Sequence, residues 1–248
     1  MTEPATAMSA EAPAAKPSFF EDIIDVFFNP AAVFRRRQNS SPWPAILLCA
    51  VLSAVIGIAT YNVLAPVFDA EFARQSAKIL KSNPNMTQDM LDKGRGMTQS
   101  LARYGPIILV PIMIFVVGVI AWLVSKLVSA KETFNAAIVI VAYAYVVRVL
   151  GGIVTAVIAM LMDSSNITGL GSVSVSPLHF MNPDTTSPMM LALGQRLDLF
   201  LVWFTILVAV GIYVAGKTTK ARAVVFGVLL WLVGSIPAIL GAVKAAKG

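Results

Sequence analysis

The sequence predicts an all-α integral membrane protein, five transmembrane helices preceded by an N-terminal amphipathic interfacial helix. Two compositional facts and one pattern predict it. Of 248 residues, 57% are hydrophobic and only 13% are charged, whereas a soluble domain is about half apolar and about a quarter charged. The mean hydropathy of +0.78 points to a bilayer as the solvent. The pattern is a set of five long apolar runs, at about 44–66, 105–128, 133–162, 197–215 and 223–243. A helix needs about 20 residues to cross about 30 Å of hydrocarbon, and each run reaches that length or passes it. Runs this long and continuous are not barrel strands, the other structure whose backbone is satisfied in lipid.

Residues 1–17, MTEPATAMSAEAPAAKP, are rich in Ala and Pro, lack apolar periodicity and read as a disordered tail. Their acidic start, with no apolar stretch behind it, does not fit a secretory signal. Residues 18–43 form an amphipathic cytoplasmic or interfacial segment. In SFFEDIIDVFFNPAAVFRRR, Phe20, Ile23, Ile24 and Phe27 recur at helical spacing, with Glu21, Asp22 and Asp25 on the other face. Asn29 is placed to cap a second helix with Pro30 at its first position. That helix carries Val33 and Phe34 and ends in Arg35, Arg36 and Arg37, candidate contacts for lipid phosphates. The segment suits an interfacial anchor or partner-docking helix, and equally a helix packed on the membrane bundle.

The membrane domain covers residues 44–243. Pro111 and Pro237 lie inside their runs, where kinks are expected. The third run is longer than a span requires and should tilt or project. Between the first two spans, residues 67–104 read as two short amphipathic helices broken at SNPN, with Thr87 as a cap and Met90, Met97 and Leu101 as an apolar stripe lying on the membrane or neighbouring helices. Arg35–Arg37, the link with Lys126 and Lys131, and the turn with Lys217, Lys220 and Arg222 favour a cytoplasmic N-terminus and a C-terminus on the opposite side. Arg74, Lys78, Lys81, Lys93, Arg95 and Arg103 in the 67–104 segment weigh against that orientation.

One motif suggests chemistry. In GIYVAGKTT, Gly211, Gly216, Lys217 and Thr218 satisfy G-x-x-x-x-G-K-[ST], the loop that cradles nucleotide phosphates. Such a loop follows a strand and leaves its N–H groups free to meet phosphate. Here TILVAVGIYVA precedes Gly216, so those groups are spent inside a membrane helix. The pattern is accidental. The net charge of +6 fits basic loops at a membrane. No basic stripe interleaved with exposed aromatics occurs, so nucleic acid is not an expected partner.

Arg148 is the most unusual residue, a charge near the middle of the third run, where insertion costs about 2.5–3.5 kcal/mol. At about 100° per residue, Ala137, Ala144, Gly151, Gly152, Thr155 and Ala159 share its face, so it should point into the bundle. It reads as a structural arginine bonded to carbonyls, hydroxyls or an acid such as Asp198, as an anion or substrate site, or as a residue snorkelling to an interface. Asp198 opens the fourth run and suits a helix-start acid favoured by the dipole. His179 is the single histidine and Cys49 the single cysteine. No metal-ligand spacing, catalytic triad motif or cofactor fingerprint is present, so neither metal nor cofactor is expected.

Three stretches resemble the Ypt-interacting protein (Yip domain) family, particularly its bacterial members. They are FFNPAAVFRRR before the first span, TFNAAIVIVAYAYVVRVLGGIV in the third, and LDLFLVWFTILVAVGIYVAGKTTKARAVVF across the fourth span, basic turn and fifth span. The chain departs from the pattern in Val-Val-Arg after AYAY, where a helix-breaking Pro is usual nearby, and in its long 67–104 segment. The resemblance implies five spans, a cytoplasmic N-terminus and no enzymatic activity. Eukaryotic members resemble trafficking factors that bind Rab-type GTPases, a role without a matching tail here. Two functional readings follow. One is a membrane scaffold or adaptor in the bacterial inner membrane, organising lipids, membrane or cytoplasmic proteins, or copies of itself. The other is a small transporter or channel-like protein with a polar site around Arg148.

Overall fold

Residues 18–82 and 85–246 are described by a computed structural model, and every regular element among them is a helix. The N-terminal tail lies outside the described residues, as do positions 83 and 84 of the SNPN break.

Helix α1 (Phe19–Phe28) begins at a capping box that the S-x-x-E spacing of Ser18 and Glu21 encodes: Ser18 Oγ accepts from Glu21 N at 3.2 Å, and Glu21 reaches back to Ser18 N. Helix α2 (Pro30–Arg37) starts at Pro30, but Asn29 makes no side-chain cap, contrary to expectation. Asn29 already closes α1, its N–H donating to Asp25 O at 2.6 Å, and ψ of 59° holds it away from the extended conformation a side-chain cap needs. The hairpin folds onto the bundle. Phe19 meets Tyr143 and Phe27 meets Trp203, with ring centroids 6.1 and 5.6 Å apart. Val26, Val33 and Phe34 are fully buried, while Phe20, Ile24 and Phe28 face outward.

Helix α3 (Trp43–Ser82) runs 40 residues without interruption through Pro66, about 60 Å and twice the hydrocarbon thickness. Helix α4 (Gln88–Tyr104) returns along it, capped by Thr87 as expected (Met90 N to Thr87 Oγ1, 3.4 Å). It passes through Gly105 into α5 (Pro106–Leu127) with the hydrogen-bond ladder kept. The first of the two short helices expected in 67–104 is therefore the distal part of α3. No breaker lies between Pro66 and the SNPN stretch, and one proline removes only one ladder bond. The distal part of α3 and α4 form an arm beyond the bundle. Arg95 to Asp69 at 2.7 Å and Arg103 stacked 3.9 Å from the Tyr61 ring centre pin it. Leu91 is the residue that α4 buries, and Gly94 faces Phe72. Met90, Met97 and Leu101, expected on the membrane or on neighbouring helices, are exposed along the arm and not buried against a neighbouring helix.

Helices α6 (Phe134–Ala144) and α7 (Val146–Leu161) form one span, since Tyr145 N to Val141 O and Val149 N to Tyr145 O carry the ladder across their junction. This span is the centre of the bundle, packed by α3, α5 and the helix over Leu199–Ala215. Every residue from Ala136 to Ala144 is buried. Glycines let the neighbours approach: a Cβ at Gly118 would come 2.8 Å from Ile138 Cδ1, and one at Gly211 would run into Ile140.

The fourth run is not one straight helix. Helix α8 (Pro188–Arg196) and α9 (Leu199–Ala215) meet at a 52° bend, and α10 (Lys220–Ala245) follows a tight turn. Among the described residues four helices are long and apolar enough to cross a membrane, and the bent pair, taken as one span, makes a fifth. The all-α membrane class therefore stands. The α5–α6 and α9–α10 turns share one end of the bundle, the turn face. The arm projects from the opposite end, where the 162–187 connection packs Ile167 and Val173 on Val67 and Ala159.

Candidate functional site

The break between α8 and α9 gathers one cluster of polar residues in the membrane domain. Asp198 leaves helical geometry (φ −59°, ψ 131°) and caps α9, its Oδ1 accepting from Leu201 N at 3.0 Å. The same oxygen accepts from Arg148 Nη1 at 3.1 Å. The structure thus brings Arg148 and Asp198 together, and the helix-start role of Asp198 coexists with the pairing. Arg148 does not point into the bundle as the face of Ala and Gly suggested. Its side chain is 39% exposed and that of Asp198 21% exposed. Val147, Gly151, Ala156 and Ala159 take the inward positions of α7, and Arg148 lies with Gly152 on the outward side. The bend supplies an acceptor there, so the guanidinium reaches Asp198 at the rim.

Sequence reasoning missed Arg196, two residues before Asp198. Its Nε donates to Ser235 Oγ at 3.0 Å and its Nη2 to Trp231 O at 3.3 Å, while Trp231 Nε1 donates to Arg196 O at 2.9 Å. Ser235 is 1% exposed. Gly234 makes room for the guanidinium: a Cβ there would lie 2.8 Å from Nη2. The usable signal was Arg196 together with W-x-x-G-S in the last span. The end of α8 is thereby tied to the middle of α10.

A second cluster holds the N-terminal hairpin. Asp22, which shares with Glu21 and Asp25 the face opposite the apolar one, is fully buried and accepts from Arg36 Nε at 3.0 Å, from Arg36 Nη2 and from Arg37 Nε. Arg36 Nη2 also donates to Asp25 at 2.8 Å. The hydrogen bond to Asp22, and after it the one to Asp25, pushes the Arg36 pKa above its usual value. Of the three arginines read as phosphate contacts, two are engaged with these acids. Arg35 is exposed and no ion pair to it appears among the described residues.

A third cluster lies at the turn face. Glu132 is buried, its Oε1 taking Lys126 Nζ at 2.8 Å and the hydroxyl of Ser125. A Cβ on Gly216 would come 2.8 Å from its Oε2, so glycine is required where the two turns meet. Lys131 N donates to Gly216 O at 2.9 Å. Residues Gly211 to Ala215 lie within α9, so the phosphate-loop pattern has no loop behind it. His179 Nδ1 donates to Ser172 O at 2.6 Å, organising the arm-face connection. Among the described residues no three of His, Cys, Asp or Glu gather to hold a metal.

Two grooves mark the surface. One, of about 750 Å³, lies between α9 and α10 and is almost wholly apolar. The other, of about 580 Å³, lies at the arm face and includes Glu71, Arg74 and Gln195. Against known proteins, the family model that matches describes the Yip1 domain and covers residues 24–241. No curated protein and no solved structure matches.

Proposed function

The chain belongs to the Yip1 domain family, and from that premise we propose that it is a membrane scaffold or adaptor without catalytic activity. It is a bacterial-type member in the inner membrane, with a cytoplasmic N-terminus, and it organises lipids, partner proteins or copies of itself. One observation carries the reading. The central span is buried by apolar neighbours from Ala136 to Ala144, while the arm leaves Met90, Met97 and Leu101 exposed. A solid apolar centre suits a body that presents surfaces rather than a path for solute. Methionine-rich exposed faces adapt to partner surfaces. The turn face carries Lys126, Lys131, Lys217 and Lys220 on short connections, which supports placing it in the cytoplasm.

A second reading, the small transporter around Arg148, draws on the 52° break beside Arg148 and Arg196, because transporters bind solutes at broken helices. One experiment separates the two. Photo-crosslinking residues are placed at Met97 on the arm and at Ile153 on the outer face of α7. The scaffold reading expects discrete protein adducts at Met97, abolished by Leu101→Asp, and lipid adducts at Ile153. Lipid adducts at both positions, with solute flux in liposomes that Arg148→Ala removes, would replace it with the transporter.

A further inference from the structure

We infer that the groove between α9 and α10 holds one acyl chain of an anionic phospholipid from the leaflet at the turn face, with the phosphate on Lys220 and Arg35. The inference specifies the lipid that the proposed scaffold organises, and its test does not depend on protein partners, so either can fail alone.

The first argument is length. Lys220 stands at one end of the groove and Trp231, eleven residues later on α10, at the other. That separation is about 16 Å along the helix, against about 15 Å for half of a roughly 30 Å hydrocarbon core. The groove is one leaflet deep. It stops there for a structural reason: the Trp231 indole donates to Arg196 O at 2.9 Å, and bent α8 packs on α10 beyond that point. A transmembrane helix from a partner or a second copy would need a seam across the whole bilayer. An acyl chain needs only half.

The second argument is chemistry. Ile206, Val224 and Val228 form the walls, and the polar atoms near them are already satisfied. Thr205 Oγ1 donates to Leu201 O at 2.9 Å, and the Trp231 N–H is taken by Arg196. Apart from Tyr213 and Lys220, which stand toward the turn-face end, the lining is apolar, which suits a hydrocarbon chain.

The third argument is charge. Lys220 makes no ion pair among the described residues. Ala31 forms part of the groove wall, and Arg35 lies one turn further along α2 on the same side. That helix runs from the Phe27–Trp203 contact toward Ser40, whose carbonyl accepts from Asn135 at the turn face at 2.9 Å. Two uncommitted cations therefore stand toward the headgroup end of an apolar slot, a site for an anionic headgroup.

The test reads Trp231, at the closed end, as the reporter. Trp43, Trp122 and Trp203 are changed to Phe, and the protein is placed in bilayers doped with lipid brominated near the chain terminus. Phosphatidylglycerol should quench Trp231 at about fivefold lower mole fraction than phosphatidylcholine with identical chains. Lys220→Ala with Arg35→Ala should abolish that preference, while Lys220→Arg keeps it. Val224→Phe, which narrows an exposed wall, should lower quenching by both lipids. Equal quenching by the two lipids overturns the anionic site. Absence of quenching by either, with Val224→Cys forming disulfides between copies, assigns the groove to self-association and also overturns it.

Discussion

Replacing Asp22 by Ala should release the N-terminal hairpin from the bundle far more than replacing Asp25. Asp22 is fully buried and accepts three N–H groups, from Arg36 Nε and Nη2 and from Arg37 Nε. Breaking a buried ion pair costs about 3–5 kcal/mol when the partner is stranded. Here the arginine side chains remain 32% and 26% exposed, so they regain water, and Arg36 keeps Asp25 at 2.8 Å. The loss is therefore smaller, about 2 kcal/mol, within the range of a hydrogen bond to a charged group. That raises the open fraction about 30-fold, at about 1.4 kcal/mol per factor of ten. Asp25 is 41% exposed, and its removal should cost about 0.5 kcal/mol, roughly a twofold change. The readout is alkylation of Val33→Cys, a fully buried position on α2, in a Cys49→Ala background. With opening fast and alkylation slow, the rate follows the open population. Similar rates for the two variants, or no acceleration with Asp22→Ala, would refute the claim that the buried carboxylate holds the hairpin.

The partly exposed Arg148–Asp198 pair should couple by only about 0.5–1 kcal/mol in a double-mutant cycle of Arg148→Leu and Asp198→Asn, read by thermal stability in nanodiscs. Asp198→Ala alone should cost more than Arg148→Leu, because it also removes the cap on Leu201 N. Gly211→Val should lower stability by about 1–3 kcal/mol through its clash with Ile140, a loss that Ile140→Ala in the same chain should partly restore. Lys217→Ala should leave nucleotide binding absent before and after, since the phosphate-loop residues lie in α9 and its turn, and saturable ATP binding by the unmodified protein would count against this. Reporter fusions at Thr219 and after Lys244 should report opposite sides of the membrane.

The apolar runs were legible because a bilayer imposes one requirement on every spanning residue, and composition alone reports it. The extents were less so. Hydropathy falls after Pro66, but helix formation does not, so a helix of 40 residues looked like a span and a separate amphipathic piece. Thr87 was legible as a cap because its hydroxyl acts on Met90 three residues on, a local relation. Asn29 was misread for an equally local reason: one residue had to close α1 and open α2, and its backbone was committed to the first task. The face of Arg148 required the bend at Asp198, a tertiary fact. Arg196 depended on Gly234 in another helix, beyond the reach of any periodicity. Asp22 reads with Glu21 and Asp25 as one acidic face, which does not disclose its burial. Its partners arrive from the other arm of the hairpin, fourteen and fifteen residues later.

The break at Asp198 has more consequences than a lost turn of helix. By leaving helical geometry, Asp198 exposes its carboxylate to both Leu201 N and Arg148, so one oxygen starts α9 and fixes α7 beside it. The same bend turns α8 across α10, where Arg196 and Trp231 exchange hydrogen bonds through each other's backbone carbonyls. A straight fourth span would run beside α10 to the arm face and leave a seam through both leaflets. The bent one closes the seam at Trp231 and leaves it open toward Lys220. If the Asp198 cap and the Arg196–Trp231 exchange together set where the groove ends, loss of either should lengthen it without moving the headgroup end. Asp198→Ala and Arg196→Gln should therefore weaken quenching of Trp231 by terminal bromines, as the chain end gains room to move past the indole. The preference for phosphatidylglycerol over phosphatidylcholine should stay unchanged, because it depends on Lys220 and Arg35 at the other end.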